Sequence, residues 1–573
     1  MSISIIYIAI TLVLLLAIFC TIGFSIQRLF GINDYNIESI FLAFWVGFCL
    51  TLVFLQFWHL FGPVDIKPFV AVSSLSIISL IINKQSILEF FKTKFRLSFL
   101  VCLGLLSILI ASQSIGPIIV NDSGVYHIPS IRWISSYQII PGLCNLNNRL
   151  LISSYFLFLS LLDIGYWSHK SHHLANALLF LAISSQIIIS TSKVIFDPIK
   201  VKIYDVMNVI MILPIVILCR LYASSPTPDI PLFILGVVVG GQLCKLLFND
   251  NRQSIFFEVF LIIIVAAVGF TIKLNFAVIG ICSSTIAIAK LSSHGEDLKV
   301  LIARIIAIYL MLPLGLIIIP FMTRNVILSG YPLYPSAYFP VGVEWKIPEQ
   351  EIMTQWSYLK THTRGLPGHQ PDEIIAQWRW FTPWLKELFY DRYSLIMLMF
   401  PIFLAVTGLF ILMFNYQHIN KPVSNVLFAI PPIASIIFWI FTAPGVSYAG
   451  ASFWILGAGT LAISYQVFNS DNFRKMASIT LIGLIIISLI AVAMCRGTLR
   501  KNIALIPDEE GFYPIPKVEV ELFTTKSGLS VFISRNGNKS WGAPIPCLPN
   551  PLPNLRLREE GNILKGFILS NQK

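Results

Sequence analysis

Along most of this chain apolar residues do not alternate with polar ones; they run on in blocks. The blocks are roughly 17 to 24 residues long, close to the ~20 that a helix needs to cross a ~30 Å hydrocarbon core. Lipid satisfies no backbone polar group, so each block must be helical. The pattern predicts fourteen spans, near 3–24, 38–61, 67–84, 98–114, 172–191, 204–220, 229–248, 255–271, 275–291, 301–320, 393–414, 426–442, 449–467 and 477–495. A fifteenth apolar segment, Leu150 to Leu162, is short and is closely followed by Asp163, Trp167, His169 and Lys170, as a re-entrant or interfacial helix would be.

Charge selects between these readings. If Leu150 to Leu162 turns back, the connections holding Arg28, Lys84/Lys92/Lys94/Arg96, Lys193/Lys200/Lys202, Lys290/Lys299/Arg304 and Arg474/Lys475 share one face. The positive-inside rule makes that face cytoplasmic. Residues 115–150, Ser224 to Asp229, 321–390, Thr442 to Tyr448 and the tail from about Arg496 then lie outside. The expected fold is an all-α polytopic membrane protein of about fourteen helices. Residues 1–495 form the membrane domain, with large extracytoplasmic loops at 115–171 and 321–390. Trp345, Trp356, Trp378, Trp380 and Trp384 suit a loop whose helices lie at headgroup level. Residues 496–573 read as a small capping tail: Val518 to Leu522 alternates like a strand, and Gly542 to Pro551 supplies turns.

Composition agrees: 56% hydrophobic and 12% charged residues, with a mean hydropathy of +0.79, exclude a soluble protein. The net charge of +12 is dispersed over helix ends and tails, so topology accounts for much of it and no nucleic-acid partner is implied. Cys20, Cys49, Cys102, Cys219, Cys244 and Cys282 read as small apolar fillers, and no Cys-x-x-Cys spacing exists. Cys144 and Cys547 fall outside, where a disulfide between first loop and tail is one option. Met1 to Phe24 lacks a basic start and a cleavage site, and reads as a retained span.

Candidate chemistry gathers in the predicted outer loops. Asp122 follows a span directly, in Asp122-Ser-Gly-Val-Tyr126-His127, and Pro129 opens a surface helix floated by Ile128, Ile131 and Ile134. A carboxylate at that lip suits general-base work on an acceptor hydroxyl, with Arg132 and Arg149 for a phosphate leaving group. The bland alternative is a helix cap paired with a nearby Arg. Asp229, in Ser225-Pro-Thr-Pro-Asp229, is either a second carboxylate, sharing a divalent cation (Mg or Mn) or positioning the acceptor, or an N-cap. Lys273 and Arg324 either hold a lipid-linked phosphate or snorkel. Tyr331 and Tyr334 follow Arg324, Asn145 lies in Pro141-Gly-Leu-Cys-Asn145, and all three join the candidate substrate contacts. His172 and His173 are interfacial anchors or substrate contacts.

An acidic residue just after a span, a Tyr four positions on and a surface helix leading to a re-entrant stretch resemble the first extracytoplasmic loop of GT-C glycosyltransferases. That group includes the protein O-mannosyltransferases and the lipid A aminoarabinose transferases. Its pattern is an Asp-Glu pair, and Ser123 replaces the second acid here. The chain also looks like a family of bacterial multispanning proteins with Asp-[Ser/Thr]-Gly-x-Tyr-His, Pro-Gly-Leu-x-Asn-Leu-x-x-Arg, His-His, Ser-Pro-x-Pro-Asp and Trp-x-x-Pro-x-Pro-Cys motifs. These match Asp122 to His127, Pro141 to Arg149, His172-His173, Ser225 to Asp229 and Trp541 to Cys547. Ala443-Pro-Gly-Val-Ser447 departs from the acidic and basic pair expected near Ala-Pro. The resemblance implies a bacterial cytoplasmic-membrane enzyme with its site on the extracytoplasmic face. It would make an inverting transfer from a polyprenyl-phosphate sugar to a glycan, lipid or protein acceptor. Two other classes stay open: a ligase or polymerase using diphosphate-linked glycans, kept alive by His362, Arg364, His369 and Arg379, and a transporter of lipid-linked sugars. A transporter needs polar groups along a path through the bilayer, whereas the sequence places them at one face.

Overall fold

The computed structural model describes residues 3–33, 35–93, 97–249, 255–292, 313–365, 378–418, 421–465, 507–535 and 537–569, with Gly483 and Ile486. The first five helices are α1 (Ile3–Leu29), α2 (Ile37–Trp58), α3 (Ile66–Ile82), α4 (Lys84–Thr93) and α5 (Leu97–Ser114). Helices α1 and α2 pack backbone to backbone: a Cβ on Gly23 would sit 1.9 Å from the Ala43 carbonyl oxygen, and one on Gly47 as close to that of Phe19. Small residues permit this approach, which is how helices gain contact where lipid offers no hydrophobic drive. At Asn83, which accepts from Tyr35 Oη at 2.9 Å, the chain bends by 69° into α4.

After α5 comes a loop with two short helices, α6 (Ile128–Ser136) and α7 (Tyr155–Leu162). All eight residues of α7 are buried, yet eight residues rise only ~12 Å, less than half of the hydrocarbon thickness. His173 Nδ1 meets the Ser114 carbonyl oxygen at 2.5 Å, so the loop leaves and rejoins the bundle at one end. The segment therefore turns back, as the charge pattern required.

The bundle continues with α8 (Ala175–Phe196), α9 (Ile203–Ile210), α10 (Ile212–Tyr222), α11 (Asp229–Phe248), α12 (Ile255–Ile272) and α13 (Ala277–Ser292). Next come α14 (Ile319–Ser329), α15 (Glu349–Thr363), α16 (Phe381–Tyr390), α17 (Phe400–Phe414), α18 (Pro422–Thr442) and α19 (Ser452–Tyr465). Among the described residues, ten helices are long and apolar enough to cross a membrane, eleven if α3 and α4 form one span. Fourteen is therefore more than the described chain supplies. Gly315–Ser329 and Ser452–Tyr465 are apolar but shorter, and most of 301–320 and all but two residues of 477–495 lie outside the described residues; 204–220, though broken at Met211, counts among the ten.

The tail carries β1 (Val520–Thr524), β2 (Ser530–Ser534), β3 (Cys547–Leu548), β4 (Leu555–Leu557) and β5 (Phe567–Leu569). Strands β1 and β2 pair antiparallel, β3 joins β2 in parallel, and β4 pairs with β5. This small sheet sits on the first loop. The backbone nitrogens of Ser540 and Trp541 donate to the Gly124 oxygen at 2.8 and 2.9 Å, and Phe567 N donates to Pro141 O at 3.0 Å. A Cβ on Gly124 would lie 2.4 Å from the Trp541 indole, which explains glycine beside Asp122. Cys144 and Cys547 are both free thiols, so no disulfide joins loop to tail.

Candidate functional site

Asp122 opens a five-residue π turn, Ser123–His127, and its side chain makes no capping hydrogen bond. The capping half of the bland reading fails, and its pairing with a nearby arginine is found. Instead Tyr126 Oη donates to Asp122 Oδ2 at 3.3 Å, and Arg149 Nη1 stands 3.7 Å from Oδ1. The carboxylate remains 44% exposed, so this pair is open and not sealed. Asn147 sets the spacing: its side chain donates to Val125 O at 3.1 Å and accepts from Arg149 N at 3.1 Å. Arg149 also reaches over the rings of Tyr126 and Tyr358, 6.0 and 5.6 Å from their centroids.

Asp229 is the first residue of α11, after Pro228 in the cap position. Its carboxylate takes Lys273 Nζ as ion partner and a hydrogen bond from Thr227 Oγ1 at 3.3 Å. Lys273 Nζ lies 4.5 Å from the centroid of Tyr448. The turn carrying Asp229 is held by Asn176, which donates to the carbonyls of Ser225 at 2.6 Å and Tyr222 at 3.2 Å. Tyr155 Oη on α7 donates to Asn176 in turn, at 2.7 Å.

These residues form one electrostatic unit. Burial pushes the Tyr126 hydroxyl well above its ordinary pKa, the charges of Asp122 and Asp229 and the nearby Tyr448 add to that, and Arg149 opposes it. The phenol stays a neutral donor. Burial pulls Lys273 down, but Asp229, Tyr448 and Asp122 outweigh it and keep the ammonium charged. His127 is buried, and burial together with Lys273 lowers its pKa to about 3, so the imidazole is neutral. Asp122, Arg149, Asp229 and Lys273 thus interleave two negative and two positive side chains around two tyrosines. Beside them is a small hollow of about 20 Å³, which Tyr448 shares with Asn275, Gly236, Phe276 and Ser452 among others.

A shared divalent cation does not fit this donor set. Each carboxylate already faces a side-chain cation, and among the described residues no group of three His, Cys, Asp or Glu gathers anywhere.

The other candidates engage different partners. Arg132 donates to the carbonyls of Gly542 and Ala543, clasping the tail. Asn145 donates to Trp345 O at 2.9 Å and Phe567 O at 3.1 Å, tying loop to loop and tail. Tyr331 Oη donates to Ile347 O at 3.0 Å, and Tyr334 Oη to Asn148 O. His172 and His173 are buried under Phe512 of the tail, whose ring is 5.1 Å from that of His173. Arg324 is buried and carries no ion pair among the described residues. In the large loop, Arg364 stacks on Trp380 at 4.6 Å and His362 on Tyr358 at 5.8 Å, while His369 lies outside the described residues.

Two things escaped the sequence. Tyr448, Tyr358 and Asn147 complete the site; the departure at Ala443 to Ser447 was the one signal pointing toward Tyr448. A second ionic network also exists at the opposite end of the bundle, so polar groups do not gather at one face alone. There Lys193 pairs with Glu38 and, at 3.4 Å, with Asp205, while Lys245 lies 3.6 Å from Glu38 and 3.8 Å from Glu258.

With this geometry in hand, comparison with known proteins gives a family. The chain belongs to the family described as a domain of unknown function (DUF8201), whose model matches residues 5–454. Asp122, Tyr126, Arg149, Asp229, Lys273 and Tyr448 all fall inside the matched segment, and the tail sheet falls beyond it. No curated protein and no solved structure matches the chain.

Proposed function

We propose that the chain is an inverting glycosyltransferase that moves a sugar from a polyprenyl-phosphate donor to a glycan, lipid or protein acceptor, on the extracytoplasmic face of the bacterial cytoplasmic membrane. The observation that carries this reading is an open carboxylate, Asp122, within 3.3 Å of a phenol and 3.7 Å of a guanidinium, with Lys273 in the same cluster. A phosphate arriving at Arg149 competes with Asp122 for the guanidinium. The acceptor hydroxyl attacks the anomeric carbon, its proton passes to Asp122, and the bond from that carbon to the phosphate oxygen breaks. The departing phosphate keeps the electron pair, and Arg149 and Lys273 offset its charge. Asp229 orients Lys273, and Tyr126 orients Asp122. Arg132 is held by the tail and Arg324 makes no ion pair among the described residues, so the leaving group is assigned to Arg149 and Lys273.

Deleting the gene and comparing surface glycans by mass spectrometry tests the reading. Loss of one defined sugar, restored by wild type and not by Asp122→Asn, is expected; full rescue by that variant defeats the catalytic role. The second ionic network favours one other reading, a transporter of lipid-linked sugars. Retention of vesicle-trapped lipid-linked sugar on its original leaflet, with transfer intact, excludes it.

A further inference from the structure

Arg324 on α14 is only 1% exposed, and its Nε and Nη2 are enclosed with no acceptor among the described residues. A buried guanidinium left this way loses its hydration without replacement, which is unfavourable. Its neighbour in charge is His59, at the C-terminal end of α2 and wholly buried. His59 Nε2 meets the Tyr137 carbonyl oxygen at 3.2 Å; a carbonyl only accepts, so Nε2 bears the hydrogen. Nδ1 is then a bare lone pair, enclosed and without a partner among the described residues. Burial and the Arg324 charge hold this imidazole well below its ordinary pKa. One turn earlier on the same face of α2, Gln56 is also wholly buried, with neither amide atom partnered among the described residues.

A cation, a neutral acceptor and an amide that can donate or accept therefore go unanswered in one region. Water answers donors and acceptors but not the charge. A carboxylate or phosphodiester answers the charge but brings no hydrogen for Nδ1. A phosphate monoester carrying one proton supplies both. We propose that Gln56, His59 and Arg324 enclose a phosphate monoester as its monoanion, with the guanidinium and amide donating to its oxygens and its P–OH donating to His59 Nδ1. The first loop is tied to both helices: Ile139 N donates to His59 O at 3.0 Å and Gly142 N to Ile327 O at 2.8 Å. A ligand held under those bonds leaves slowly and copurifies. The shared chemistry covers a lipid monoester and free hydrogen phosphate alike. It is independent of transfer at Asp122.

The test uses the full chain in detergent, exhaustively delipidated. Phosphorus is measured per chain and partitioned into organic and aqueous phases. About one phosphorus per chain is expected for wild type and for Asp122→Asn, and at least about tenfold less for Arg324→Met. Organic-phase phosphorus identifies a lipid, aqueous-phase phosphorus the free ion. Protein depleted of its bound phosphorus by prolonged exchange against phosphorus-free detergent, with the loss checked by the same assay, is then given phosphatidic acid, inorganic phosphate or phosphatidylglycerol, and its melting temperature is read. Either monoester-class probe is expected to raise it in wild type and not in Arg324→Met, with the diester inactive. Should Arg324→Met fail to fold, Arg324→Lys and His59→Phe are read the same way, with reduced retention expected. No phosphorus in wild type, equal phosphorus in the variants, or an equal response to the diester overturns the proposal.

Discussion

Asp122 is exposed enough to meet a substrate and is restrained by a single phenol and a distant guanidinium, so its chemistry can be separated from its structural role. Asp122→Asn keeps the shape and the Tyr126 hydrogen bond while removing the proton acceptor. Transfer by the purified chain should fall by about 10²- to 10⁴-fold with little change in melting temperature. A melting temperature that drops in step with activity points to a scaffold residue instead. His127 offers a pH test. Its folded pKa of about 3 lies below the ordinary 6.5, so the unfolded chain binds the proton first as pH falls. The stability it contributes is complete above about pH 6.5 and is lost progressively toward pH 3. Melting temperatures of His127→Gln should decline less steeply than wild type between those limits; parallel curves would mean that the imidazole titrates normally.

At the scale of elements, the re-entrant α7 makes a labelling pattern that a spanning helix does not. Ile119→Cys and Tyr166→Cys flank it and are exposed, 39% and 44%, while Phe196→Cys, at 84%, marks the far end of α8. On a cysteine-free background, an impermeant maleimide should reach the first two from one side and the third from the other. Labelling of positions 119 and 166 from opposite sides means that Tyr155–Leu162 crosses. Most helices were legible because an unbroken apolar run has one outcome in lipid: α2, α5, α11 and α12 lie within a few residues of expectation. Shorter or broken elements were less so. The bend at Asn83 depends on a hydrogen bond from Tyr35, 48 residues away, which no local pattern reveals. Asp122, Arg149, Asp229 and Lys273 could be read as site candidates because each sits at the end of an apolar run. Tyr448 and Asn147 lie in turns whose composition looks ordinary, and the grouping of Gln56, His59 and Arg324 depends on contacts between α2 and α14. Glu38, Asp205 and Glu258 meet Lys193 and Lys245 only through the packing of separate helices, which no local pattern reveals.

The molecule as a whole is a bundle whose first loop is gripped by its last residues. Arg132 donates to two tail carbonyls, Gly124 admits the Trp541 ring, and Lys170 pairs with Glu510 at 2.7 Å. Gly124→Ala places a methyl group against that ring, and overpacking of this kind costs about 1–3 kcal/mol. Hydrogen exchange at residues 540–548 should accelerate in Gly124→Ala and in Arg132→Ala, while protection within α11 and α12 holds; unchanged exchange in both would mean that the tail is anchored elsewhere.

The grip also imposes a timetable. Partners 410 positions apart cannot meet until nearly all of the polypeptide has been made and the bundle lies between them. Nascent chains halted after α19 would carry every charged member of the cluster yet leave the loop beside Asp122 uncovered. Competence is therefore expected to arrive late, in one step, when the final sheet closes over a loop that was inserted first.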